Sequence, residues 1–256
     1  MAVELYNKDG HVCLAFCDLV DEDHDHAVQC NQFLIANQGR GALIDPGGNM
    51  SYNALLMEMQ RYFPSRQLDY VIASHADPDI IASINKWFVS SNCKLMISRI
   101  WERFVPHFTT GRDVAGRIIG IPDQGSNIRI GGATLKALPA HFLHSEGNFQ
   151  FYDPISKILF SGDLGVSLIE GHDANAPVTD FDAHIPLMEG FHRRYMVSNK
   201  ILRYWASMVR TLEIEQIVPQ HGRRFVGKAM CKRLIDWLET LPCGIDVLDQ
   251  RAYQVP

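Results

Sequence analysis

The chain has 256 residues, 46% hydrophobic and 21% charged, which excludes collagen, coiled coil and wholesale disorder and leaves room for one large domain or two small ones. A formal net charge of −5 with no long basic run argues against nucleic-acid binding. No apolar stretch reaches the roughly 18 residues needed to span a membrane, and the charged start MAVELYNKDG lacks the core of a signal peptide.

Strand signals dominate the first part. Val12–Phe16 and Gln32–Ile35 are short apolar runs, and Ala42–Ile44 ends at the turn Asp45-Pro46-Gly47-Gly48. Tyr52–Phe63 places Leu55, Leu56 and Met59 at helical spacing, with Ser51 as N-cap. Asp69–Ala73 reads as a buried strand, Ile81–Val89 as a helix and Lys94–Ile97 as a strand. From Val105 to Ser126, four glycines and two prolines break any period, so this stretch reads as a loop or lid with a short helix.

The second part repeats the plan. Asn127–Ile130 and Thr134–Leu138 form a hairpin around Gly131-Gly132, and Phe149–Tyr152 and Lys157–Phe160 another around Asp153-Pro154. Ser198–Thr211 and Val226–Leu241 read as amphipathic helices, with the strand Gln216–Val218 between them. The tail after Leu241 reads as a surface extension. FLIANQGRGALIDPGG echoes FQFYDPISKILFSGDLGV, each a strand, turn and strand ending in an Asp beside glycine. The alternation gives an α/β fold, with two similar halves packing sheet on sheet, helices outside and loops at one edge.

That edge collects donors. In SHADPDI, His75, Asp77 and Asp79 alternate just after a strand, a metal-ligand pattern or alternatively a polar loop capping the next helix. His144 follows a strand in LHSEGN, where His141 competes with it. Asp163 follows ILF in FSGDLG, and His221 follows QIV in VPQHG. Each of these three is weak alone. Together, three His and three Asp follow strand ends, and carboxylates so close repel unless cations neutralise them. Two divalent metals fit that charge, with Asp163 as bridge. The six cysteines (13, 17, 30, 93, 231 and 243) form no CxxC pair, contribute no ligand, and fit a reducing cytoplasm.

In this order, from about Asn31 to Phe225, the motifs resemble the metallo-β-lactamase superfamily, whose fold is an αββα sandwich. Within it the chain is most similar to flavodiiron proteins, whose loop reads H-x-E-x-D-H where hydrolases have H-x-H-x-D-H. The third position here is Asp77, a carboxylate. The resemblance implies that His75, Asp77 and His144 bind one iron, Asp79 and His221 the second, and that Asp163 bridges. Ile80 stands where the family has its last loop His, so the second metal has one ligand fewer. No flavodoxin domain or FMN-binding loop is found, and residues 1–256 read as one metallo-β-lactamase-like diiron domain. Such a flavin-free member is similar to oxygen-binding diiron proteins of bacterial chemotaxis and oxygen sensing.

The resemblance thus implies a non-haem diiron protein that binds O2 as a diferric-peroxo adduct, an oxygen or iron sensor in bacterial signalling. Mn or Zn are alternative metals. The alternatives are a diiron oxidoreductase reducing O2 or NO with electrons from a separate redox partner, and a dinuclear hydrolase. A chemotaxis or signalling partner and a homodimer are expected, with no nucleic acid and no membrane. Around the metals, the expected tuning residues are His26 from the acidic DEDHDH, Glu146, His172 and Tyr195. Arg193, Arg194 and Tyr195 alternatively begin a solvated helix. His11, His107, His184 and His192 are expected at the surface.

Overall fold

The computed structural model describes residues 2–20, 28–110, 114, 116–169 and 176–255. One sheet has seven strands in chain order: β1 (Ala2–Lys8), β2 (His11–Phe16), β3 (Gln32–Asn37), β4 (Arg40–Ile44), β5 (Leu68–Ile72), β6 (Lys94–Ser98) and β7 (Ile118–Ile121). It is antiparallel from β1 to β4 and parallel from β4 to β7. The second sheet runs β13-β12-β11-β10-β9-β8, from β8 (Ser126–Ile130), β9 (Ala133–Pro139), β10 (Phe149–Asp153), β11 (Ile158–Phe160), β12 (Gln216–Val218) and β13 (Phe225–Val226).

Alternation along the strands builds the layers. Phe33 and Ile35 of β3 face Phe151 and Phe160 across the inter-sheet core, where the Phe33 and Phe160 rings lie 5.1 Å apart. Leu34 points the other way, onto α1 (Tyr52–Met59) and α3 (Ile84–Ser90), with Leu55 and Trp87. On the second sheet Tyr152 and Leu159 face outward onto α5 (Phe181–Tyr195), α6 (Asn199–Val209) and α7 (Lys228–Thr240), packing with Trp205 and Leu234. The result is helices, sheet, sheet, helices: the expected αββα sandwich. The echo between halves is real in topology. The antiparallel hairpin β3–β4 continues into parallel β5, and β10–β11 into parallel β12.

Several expectations need correction. β1 and β7 were not anticipated; β7 lies in the stretch read as a loop, and its pairing comes from the neighbouring β6 rather than from its own pattern. The helix expected over Ile81–Val89 breaks after α2 (Pro78–Ile81) and resumes as α3, because Ser83 turns to bond the carbonyls of Pro46 and Gly47. Ser51 precedes α1 but makes no capping bond; its hydroxyl donates to Gly48 O. α5 was missed, hidden by Pro186 and Gly190 in its interior, so Arg193 to Tyr195 end a helix instead of beginning one. Asp180 caps α5 by accepting from the N–H groups of Asp182 and Ala183.

Three histidines expected at the surface are buried: His11, His184 and His192. His107 is exposed, as expected. His11 Nε2 lies 2.8 Å from Asp153 Oδ2, linking the two sheets at the end away from the metal-type motifs. Asp153 also accepts from the Ser156 hydroxyl and N–H and from Ile155 N–H, so its oxygens are fully engaged. Cys13 sits 3.6 Å away as a thiol whose ionisation burial pushes up. Removing one partner from such a pair strands the other. Asp153→Ala is expected to cost about 3–5 kcal/mol in urea unfolding, with metal binding at the far edge retained. An unchanged unfolding midpoint would contradict the role assigned to the pair.

Candidate metal centre

All six residues singled out in sequence meet at one sheet edge. Asp163 is their hub. It follows β11, buried, and its Oδ2 lies 2.8 Å from His144 Nε2 and 3.6 Å from His75 Nε2. Asp77 Oδ2 is 3.5 Å from both imidazoles, and one donor atom from each of these four residues falls within 4.8 Å of the others. Asp163 Oδ1 faces a second group: His221 Nε2 at 3.7 Å, itself 3.2 Å from Asp79 Oδ2. Asp163 thus divides its two oxygens between His75, Asp77 and His144 on one side and Asp79 and His221 on the other.

The chain positions these groups through short backbone ties. Ser74 N–H donates to Asp45 Oδ1 at 2.8 Å, and Phe149 N–H donates to Ser74 O at 2.9 Å, pinning the loop after β5 to both sheets. The turn read at Asp45 therefore has a second use that its turn signal hid. His75 Nδ1 is 3.0 Å from the Ser74 hydroxyl, and His221 Nδ1 donates to Gln29 O at 2.8 Å. Both rings are held from behind with Nε2 facing the cluster, as metal-ligating imidazoles require.

The Asp163 loop needs glycine at Gly162 and Gly165, which have φ of +54° and +94°. Gly165 N–H donates to His192 Nε2 at 2.9 Å, and His192 Nδ1 donates to Met188 O. Burial lowers the His192 pKa to about 4, so the ring stays neutral in the one tautomer that accepts from Gly165. His192 was misplaced at the surface by sequence reading. His184, Met188 and His192 recur every four residues and all are buried, a helical-face signal that was available.

Electrostatics match the donor chemistry. Burial opposes charge on His75, but the hydrogen bond to Asp77 and the charges of Asp163 and Asp77 outweigh it, raising its pKa to about 9. His221 also reaches about 9, burial being overcome by Asp79 and Asp163. For Asp163, burial is outweighed by the hydrogen bond from His144 and the nearby imidazoles, which hold its pKa low. Protons here stand where cations would. Among the described residues Asp163 Oδ1 is buried without a hydrogen-bond partner, the kind of acceptor a metal ion satisfies. All six donors are N or O, a hard-to-borderline set that suits iron or manganese as well as zinc. The residues therefore fit two divalent ions.

A cavity of about 820 Å³ opens onto Asp77, Asp79, His144, Asp163 and His221. Tyr195 lines it, 5.6 Å from the His144 ring and stacked on Phe191 at 4.6 Å. Glu146 is exposed, with its carboxylate 3.4 Å from the Ser145 hydroxyl and no bond to His144 among the described residues. His141 lies outside the cluster, its Nε2 2.8 Å from Asp123 O, so His144 takes the place for which both competed. His26 and His172 lie outside the described residues.

A family model described as ODP family beta lactamase matches residues 28–222. Among solved structures, the chain is similar to the chemotaxis sensor ODP, described as a peroxy diiron species, with TM-score 0.84, 37% identity, and 96% of this chain and 97% of that one covered. The apo state of the sensor from T. denticola gives 0.83 over the same extents and identity. Rubredoxin oxygen:oxidoreductase from Desulfovibrio gigas has TM-score 0.77 at 15% identity, over 93% of this chain and 61% of that one, a likeness of fold. An uncharacterized protein of Methanocaldococcus jannaschii is 27% identical over 198 residues, 75% of this chain; the chain spans about half (48%) of that relative's length.

Two outcomes follow from this geometry. Asp163→Ala is expected to lose both metal ions, read as metal per chain after anaerobic loading; retention of two would refute Asp163 as the shared group. In the metal-free protein, His192 and His184 bind protons only below about 4 when folded, against 6.5 when unfolded. Their contribution is intact above pH 6.5 and is lost as pH falls towards 4. His192→Leu is expected to flatten that acid slope by about half in unfolding free energy measured across pH 4–7.

Proposed function

The chain belongs to the ODP family of β-lactamase-fold proteins, and on that premise we propose that it is a non-haem diiron protein that binds O2 and senses oxygen or iron in bacterial signalling. The observation that carries this reading is Asp163, with one oxygen turned to each of two donor groups. It is supported by 37% identity to a chemotaxis sensor described as a peroxy diiron species. His75, Asp77 and His144 would hold the first iron, Asp79 and His221 the second, and Asp163 both.

Two ferrous ions together supply two electrons, half of what O2 needs to become water. The protein's part is to hold the donors and wall the site. His75 and His221 must give up their protons to bind metal, and their rear contacts to Ser74 and Gln29 keep Nε2 aimed forward as they do so. Val166, Phe191 and Tyr195 line the cavity beside His144 with largely apolar surface, a setting suited to a small uncharged gas. Asp77, in place of a hydrolase histidine, adds a negative donor that favours the more charged states of iron. Among the described residues no helix is long and apolar enough to cross a membrane. A cytoplasmic homodimer working with a separate signalling protein completes the proposal.

The test is anaerobic loading with Fe(II) followed by exposure to O2. Two irons per chain and a visible band that persists for minutes without added reductant are expected. Rapid O2 or NO consumption with an added reductase would instead make the protein an oxidoreductase. Two zinc ions, no band and ester hydrolysis would overturn the iron reading.

A further inference from the structure

We propose that Gln220 is the positioning residue of the second metal, holding Asp79 in register with His221 and Asp163. The inference rests on the two-metal reading above and adds a group that is not among the six ligands. Gln220 sits between β12 and His221, and its side chain is buried. Its Nε2 donates to Asp79 Oδ2 at 3.1 Å, the same oxygen that lies 3.2 Å from His221 Nε2. Its backbone N–H donates to Gly162 O at 2.8 Å, one residue before Asp163. Its carbonyl accepts from Asn31 N–H at 2.6 Å. One residue therefore ties together the three loops that carry Asp79, Asp163 and His221.

Two observations point to Asp79 as the purpose of this side chain. Gln220 Oε1 is buried and has no hydrogen-bond partner among the described residues, so the bond to Asp79 is the one polar contact that its amide makes there. A buried amide left half unsatisfied is costly, and it is retained where the remaining bond has a use. The amide orientation is also determined, because turning it over would set Oε1 against a carboxylate. Asp79 needs such a support. Its side chain is 36% exposed on the cavity wall, whereas Asp163 is fixed by burial. With Ile80 turned into the core, Asp79, His221 and Asp163 are the second group's donors, so misalignment of one is felt by the whole group. Gln220 itself is not among the residues lining the cavity. It acts on Asp79 from behind.

The experiment is anaerobic Fe(II) titration against a competing chelator, on wild type, Gln220→Met and Gln220→Glu, with the unfolding temperature of each metal-free protein. Gln220→Met keeps the length of the side chain and removes the amide. It is expected to weaken the second metal by roughly 10–100-fold while the first metal and the metal-free unfolding temperature stay at wild-type values. Equal affinity for both metals in wild type and Gln220→Met overturns the assignment. So does a parallel loss of both metals with a lowered unfolding temperature, which would mark a merely structural junction. Tighter binding in Gln220→Glu than in wild type would show direct ligation and likewise overturn it. A wild type that binds a single iron would sink the two-metal reading itself, a result distinct from all of these.

Discussion

One buried carboxylate organises this molecule's working edge. Asp163 must present its two oxygens to two different sets of neighbours, and a carboxylate can do so only if its backbone cannot rotate. The glycines around it allow a tight turn, His192 anchors that turn from the helix layer, and Gln220 anchors it from the next strand. The strands themselves explain why five other donors arrive at the same place. β5, β11 and β12 all deliver their C-terminal ends to this edge, and the loop between β9 and β10 brings His144 to meet them. Sheet direction, not local sequence, assembles the cluster.

The two ends of the sandwich treat buried charge in opposite ways. At one end, Asp153 is matched by His11, a hydroxyl and two backbone N–H groups, and nothing is left over. At the other, three aspartates face three imidazoles, two of which, His75 and His221, hold their protons at raised pKa, while one oxygen of the central carboxylate has no hydrogen-bond partner among the described residues. The first arrangement is a closed fastening between sheets. The second is an arrangement in which cations can replace protons, and the aspartates supply the attraction that makes the exchange favourable.

Much of this was legible in the chain. His75, Asp77 and Asp79 alternate after a strand, and His144, Asp163 and His221 share the same address, so motif and topology agreed. The hairpins around Gly131-Gly132 and Asp153-Pro154 were readable because glycine and proline punctuate them. α5 was not, since Pro186 and Gly190 look like breakers while its buried face carries two histidines. β7 was unreadable for a different reason: a strand of four residues containing glycine is made by its neighbour. The burial of His192 was readable from helical spacing, but its bond to Gly165 and that of Gln220 to Asp79 were not, since each reaches a loop distant in sequence. Such long-range bonds leave no local pattern.

The burial of Ile80 limits which side chains its position can hold. The flavodiiron loop pattern that this segment resembles has a histidine at the matching place, but here the side chain is fully buried among Leu14, Phe16 and Trp87, between sheet and helices. An imidazole put back there would lose apolar packing on one face and bury a polar ring without a partner. A donor side chain at this position would reach the metal edge only if α2 turned as a unit, with its core neighbours refitted at the same time. The hydrophobic layer thereby governs what position 80 can be: a donor there is decided by the stability of the whole domain and not by the metal site alone.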